Sequence, residues 1–220
     1  GPVDFEGEFY KLEHARMDTE FYDGKAPPIW TGAAGPRMLG ITGREADGWW
    51  PAGAWTPEDY AAKLKTILDA GDAAGRDMSH FTPALTQICL IGEPDEVEEM
   101  LRAPMVKSII LMITAKDLAE FGYEHPMGPD WRGIMDFDPV KLSREAMLKF
   151  CDEMNPQAIR DILPVGTPKE VALKIKGFTD AGARVYKLME YGAMGGMKFS
   201  ATSAAKVRET EDEIQKLVEG

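Results

Sequence analysis

The tetrapeptides Thr56-Pro57-Glu58-Asp59 and Thr167-Pro168-Lys169-Glu170 are one physical device used twice. A threonine oxygen serves the free amides of a helix's first turn. Proline takes the first helical position, where no N–H is missed, and acids follow where the helix dipole favours them. Each tetrapeptide precedes apolar residues at helical spacing: Tyr60, Leu64, Ile67 and Leu68 after the first, Val171, Ile175 and Phe178 after the second. Glycines close both helices, Gly71 and Gly75 in one case and Gly182 in the other. An apolar, strand-like run follows each, at 81–91 (FTPALTQICLI) and at 184–190. Helix then strand, repeated with short connections, restricts the chain to an α/β fold with a parallel sheet.

Further units fit the same rhythm. Residues 29–32 read as a short buried strand, 36–45 as a helix and 47–51 as the next strand. Gly92-Glu93-Pro94-Asp95 opens a helix with Val97 and Leu101 on its apolar face, and the apolar segment 105–113 reads as its continuation. Residues 143–154 and a last charged segment ending near Val218 are also helical in pattern. Residues 3–12 alternate apolar and polar around Gly7, which predicts a hairpin or extended flap within the first 28 residues. Residues 121–140, rich in Gly, Pro and Asp, read as an inserted loop in an otherwise single α/β domain. The count is about four strand–helix units, against the eight of a closed barrel. Four parallel strands alone leave two bare edges and one uncovered face, so the sheet is either open or part of a larger barrel.

Composition removes several function classes. A net charge of −12 with no basic run argues against a nucleic-acid surface. No apolar run approaches the roughly 20 residues of a membrane helix. Cys89 and Cys151 sit in apolar flanks without ligand spacing and read as packed thiols of a reducing cytoplasm. His14, His80 and His125 are too scattered to suggest a metal site. The absence of a Gly-x-Ser-x-Gly or Cys–His pattern leaves nucleophilic hydrolysis unsupported.

The most distinctive stretch is PPIWTGAAGPRMLGITGREADGWWPAG, residues 27–53, where bulky rings twice meet bare backbone. TGAAGP follows a strand and opens a helix. Small residues there let amides approach an anion, although a tight turn has the same requirement. With GPVDFEGEFYKL before it and LPVGTPKEVALKIKGFTDAGARVYKL after it, the stretch resembles the C-terminal half of luciferase-like flavin and deazaflavin oxidoreductases. The nearer branch is the one dependent on coenzyme F420, with methylenetetrahydromethanopterin reductase-like and phthiodiolone ketoreductase-like members. The insert EHPMGPDWRGIMDFDP is most like the latter.

The resemblance implies a (β/α)8 barrel of which this chain is the C-terminal half. It also implies hydride transfer between a deazaflavin and a small organic substrate, with FMN-dependent monooxygenation or a non-catalytic partner subunit as alternatives. It places Gly32, Ala33, Ala34, Gly35 and Pro36 at the coenzyme phosphate, and Trp50, Pro51, Ala52 and Gly53 against its tail or phosphate. One of Trp49 and Trp50 is expected to be core packing. The catalytic acid/base would lie in the preceding half and is unassigned here. His125 in the insert, and Tyr191 and Lys198 in the YGAMGGMK turn, are candidate substrate contacts beside plainer readings as lid and connector. The expected partners are a second copy or a complementing half-barrel, with no nucleic acid and no membrane.

Overall fold

The computed structural model describes residues 1–51, 56–138 and 140–219. The chain opens with an antiparallel hairpin of β1 (Val3–Glu6) and β2 (Lys11–Ala15), whose side chains are almost all exposed. A parallel sheet follows: β3 (Trp30–Thr31), β4 (Gly48–Trp49), β5 (Thr82–Ile91), β6 (Val165–Gly166) and β7 (Val185–Glu190). Between strands run α1 (Pro36–Glu45) and α2 (Pro57–Ala73), then α3 (Pro94–Arg102), α4 (Pro104–Lys107), α5 (Ala115–Glu120), α6 (Arg144–Glu153) and α7 (Gln157–Ile162). After β6 come α8 (Pro168–Asp180) and, beyond β7, α9 (Met197–Glu219).

Hydrogen-bond parity along β5 gives the strand order. Thr82 N donates to Asp47 O and Leu90 N to Pro164 O, so β4 and β6 share one edge of β5 at opposite ends. Pro83 O accepts from Arg184 N, and β7 runs along the other edge from Ala84 to Cys89. The run β3-β4-β5-β7 therefore follows chain order, with β6 as a two-residue clip. The sheet is parallel and open.

The two faces differ. Leu85, Cys89, Ile91, Tyr186 and Leu188 pack under α2, α8 and α9 with Ile67, Phe178, Ile175 and Ile214. On the other face Leu90, with Ile88 beside it, meets a helical cluster built from residues 97–163. The rest of that face is more open: Trp50, Val185, Lys187 and Met189 are exposed, although Ala84 between them is buried.

Several expectations need correction. Strand 29–32 is half-buried at a sheet edge, and Ile29 itself is exposed. The apolar run 105–113 is not one helix. It splits into α4 and a tight 3₁₀ segment at Ser108–Met112, where Ile109, Ile110 and Leu111 are all buried and no solvent-facing stripe exists. The insert folds back on the cluster, where Trp131 Nε1 donates to Leu111 O at 2.9 Å and Thr114 bridges Arg132.

Gly43 sets the α1–α2 distance, because a Cβ there would collide with the Ile67 carbonyl oxygen. Gly43→Ala should destabilise the protein by about 1–3 kcal/mol, the usual cost of overpacking. Urea unfolding would read this as a lower midpoint with an unchanged slope.

Candidate functional site

The loop from β3 to α1 is held from both sides. Thr42 Oγ1 donates to Met38 O at 2.9 Å, which leaves it to accept from Thr31 Oγ1 at 2.7 Å, so a hydroxyl relay ties β3 to α1. Below the loop, Trp49 is fully buried and stacked on Tyr60, with ring centroids 4.8 Å apart. Its indole N–H donates to Ala33 O at 2.8 Å. Arg76 closes the far end of α1 by donating to Gly43 O and Ala46 O. Asp47 accepts from Ile29 N at 2.8 Å and lies 4.0 Å from Arg76, a structural role.

The consequence is a nest of outward amides. Gly35 caps α1 without a side chain, and Pro36 follows. The amides of Gly32, Ala34, Gly35, Arg37 and Met38 have no acceptor among the described residues. Helices α2, α3, α5, α6 and α8 all carry acids in the first turn. α1 carries none, and has the exposed Arg37 instead. Dipole, donors and charge thus all favour an anion. A side chain at Gly32 would approach Trp50 O, whereas one at Gly35 would meet open space.

Trp49 and Trp50 divide their work. Trp49 belongs to the core. Trp50 is 41% exposed on the open face, edge-on to Trp30 at 5.8 Å, and its indole donates to Thr86 Oγ1 at 2.6 Å. Gly48 makes room for the Trp30 ring, since a Cβ there would lie 2.7 Å from ring atoms. Pro51 is buried beside them, and Ala52 and Gly53 lie outside the described residues.

The candidate substrate contacts fall elsewhere. His125 is 6% exposed and stacked on Trp131. Its Nδ1 accepts from Met127 N at 3.1 Å, so the neutral ring carries its proton on Nε2 and donates to Ile110 O at 3.2 Å. No ring nitrogen remains for a ligand, which moves His125 from the pocket to the framework of the insert. Tyr191 packs against the helical cluster. Lys198 pairs with Glu99 at 2.9 Å on the surface. In the turn before it, the Glu190 carboxylate accepts from Gly192 N and Ala193 N at 2.8 and 2.9 Å, so the amides there are served from within the chain. Lys187 also stands on the open face, a placement that depends on a register that only the paired strands reveal.

Burial holds the His125 ring below the usual imidazole range, partly offset by its bond to Ile110. A depressed folded value means that neutral His125 stabilises the fold above the unfolded pKa of about 6.5, and that this contribution is lost as pH falls below it. Asp136, Asp161 and Glu170, all held below the usual carboxylate value, act at lower pH. The urea midpoint should therefore fall between pH 7.5 and 5.5, and His125→Phe should flatten that fall.

The luciferase-like monooxygenase family model matches residues 1–185. A phthiodiolone/phenolphthiodiolone dimycocerosates ketoreductase of Mycobacterium bovis is 35% identical over 185 residues, 84% of this chain and 49% of that protein. A 5,10-methylenetetrahydromethanopterin reductase of Methanopyrus kandleri is 30% identical over 112 residues, 51% of this chain and 32% of the relative. Among solved structures, the coenzyme F420-dependent tetrahydromethanopterin reductase from Methanopyrus kandleri superposes with a TM-score of 0.62 at 21% identity, over 86% of this chain and 52% of that one. An F420-dependent secondary alcohol dehydrogenase, solved with an F420–acetone adduct, gives 0.59 at 18% identity, over 86% and 50%. The chain spans about half the length of the ketoreductases it matches. With its parallel sheet, its strand order and a match over most of its length, the chain belongs to the luciferase-like monooxygenase family.

Proposed function

We propose that this chain forms the C-terminal half of a (β/α)8 barrel and anchors coenzyme F420 for hydride transfer to or from a small organic substrate. The carrying observation is the nest of amides at Gly32–Met38, without acceptors among the described residues, at the carboxyl end of β3. Its donor set fits a phosphate: backbone N–H groups, a helix N-terminus, the exposed Arg37 and no first-turn acid. Trp50, beside the nest, offers a ring for the coenzyme's tail. When bound, the deazaflavin would supply or accept the hydride. The protein's tasks are to hold the phosphate, orient the ring and exclude water.

The titles of two similar solved structures name coenzyme F420, which supports this choice over FMN. The catalytic acid/base is assigned to no residue of this chain. The uncovered face and the edge strands β3 and β7 fit a complementing half-barrel, with a homodimer as the further assembly.

Spectral titration of the full protein with F420 and with FMN tests the reading. F420 should bind, and Ala34→Asp, which places a carboxylate at an exposed point of the nest, should weaken binding by about tenfold or more, on the order of 1.4 kcal/mol. Tight FMN binding without F420 binding would reject the coenzyme. An unchanged affinity in the variant would reject the nest.

A further inference from the structure

Lys187 stands at the end of an oblique line of side chains on the open sheet face. It pairs in register with Thr86, so the two side chains share that face. Thr86 is tied to Trp50, and Trp50 meets Trp30. The line Trp30, Trp50, Thr86, Lys187 thus crosses the sheet obliquely from β3 to β7, because Trp30 is level with Gly48 and Thr82, and Thr86 stands four residues further along β5. Its start adjoins the amide nest and its far end carries an ammonium. Three strand spacings separate the two, about 14 Å laterally. Lys187 is exposed between Val185 and Met189, two apolar side chains 42% and 38% exposed, and has no ion pair or hydrogen bond among the described residues. Beyond Thr86 the face is walled by Ile88 and the helical cluster.

A ligand that fills this line is elongated. Its anionic head sits in the nest, its stem crosses the tryptophans, and its ring ends beside a cation. We propose that Lys187 is the specificity-determining residue for the coenzyme's ring, receiving the acidic ring hydroxyl that distinguishes the deazaflavin from FMN, whose corresponding ring edge carries only methyl groups. This deepens the coenzyme reading above and rests on it. An ammonium beside an acidic oxygen gains a charge-assisted hydrogen bond, whereas beside a methyl group it is left desolvated and unpaired. The same lysine thus favours one ring and penalises the other.

The competing role is that of an edge guard, since lysines on exposed strands deter pairing with other chains. The two roles separate by experiment. The full protein and its Lys187→Met and Lys187→Arg variants are titrated with oxidised F420 and with FMN, and the absorbance of bound F420 is followed against pH. Lys187→Met should weaken F420 by about tenfold or more, leave FMN unchanged or tighter, and raise the pH at which the bound ring hydroxyl ionises. Lys187→Arg should restore most of both effects. Ala34→Asp, by contrast, should weaken both coenzymes, because both carry the phosphate. Unchanged F420 affinity and ionisation in Lys187→Met, with or without aggregation, would overturn the assignment and leave the edge guard. Failure of the unaltered protein to bind F420 would overturn the coenzyme reading and this inference together.

Discussion

One buried hydrogen bond orders the candidate site: the Trp49 indole donating to the Ala33 carbonyl. A loop of small residues has little of its own to fix its conformation, because glycine and alanine leave the backbone many states. Trp49 removes that freedom from beneath. Its ring is fully buried and stacked on Tyr60, and Tyr60 is itself bonded to Ala84 O at 3.0 Å. With the Ala33 carbonyl drawn inward, the following peptides are left facing outward at the start of α1. A net hydrogen bond contributes only about 0.5–1.5 kcal/mol, but a buried indole N–H without an acceptor costs about 1–3 kcal/mol. The loop therefore stays where the indole needs it.

β5 organises what surrounds that loop. Its ten residues serve two edges and two faces: β4 and β6 on one edge, β7 on the other, α2, α8 and α9 beneath, and the helical cluster of residues 97–163 against its last turns above. The strand's burial on both faces follows from this, and so does its near-continuous apolar character. The insert completes the cluster. His125 and Trp131 lock it through backbone carbonyls of the 3₁₀ segment, so a histidine and an indole that look like chemistry in the sequence are fasteners in the fold. Glu190 acts similarly at the end of β7, where it serves the turn's amides with its own carboxylate. Among the described residues, the amides of the turn after β7 are thus served from within the chain, and those of the β3–α1 loop are not.

What could be read from the sequence is what is local. The start of α1 at Pro36 and its end at Glu45, and the capped starts of α2 and α8, follow from side chains within four residues of each helix end. The strand–helix rhythm and the β3–α1 loop follow from the same signals. The misses have a common physical origin. β6 has two residues, and α5 and α7 have six each, too few for a periodicity to show. His125 reads as a pocket residue from sequence alone because its partner, Ile110 O, is fifteen residues away and only folding brings it near. Lys187 carries no signal in the sequence, because a lysine in a strand is unremarkable until register puts it opposite Thr86 on the open face. Trp49 and Trp50, adjacent in sequence, acquire opposite roles from strand alternation alone, and only the neighbours show which ring goes inward.

The central claim is that the amides from Ala34 to Met38 receive an anion. Backbone amide NMR of the full protein, titrated with inorganic phosphate and then with F420, tests it most directly. Saturable shifts are expected at Ala34, Gly35, Arg37 and Met38 with both titrants, and none at Gly192 and Ala193, whose donors already serve Glu190. Silence at the α1 loop while the coenzyme binds elsewhere would contradict it.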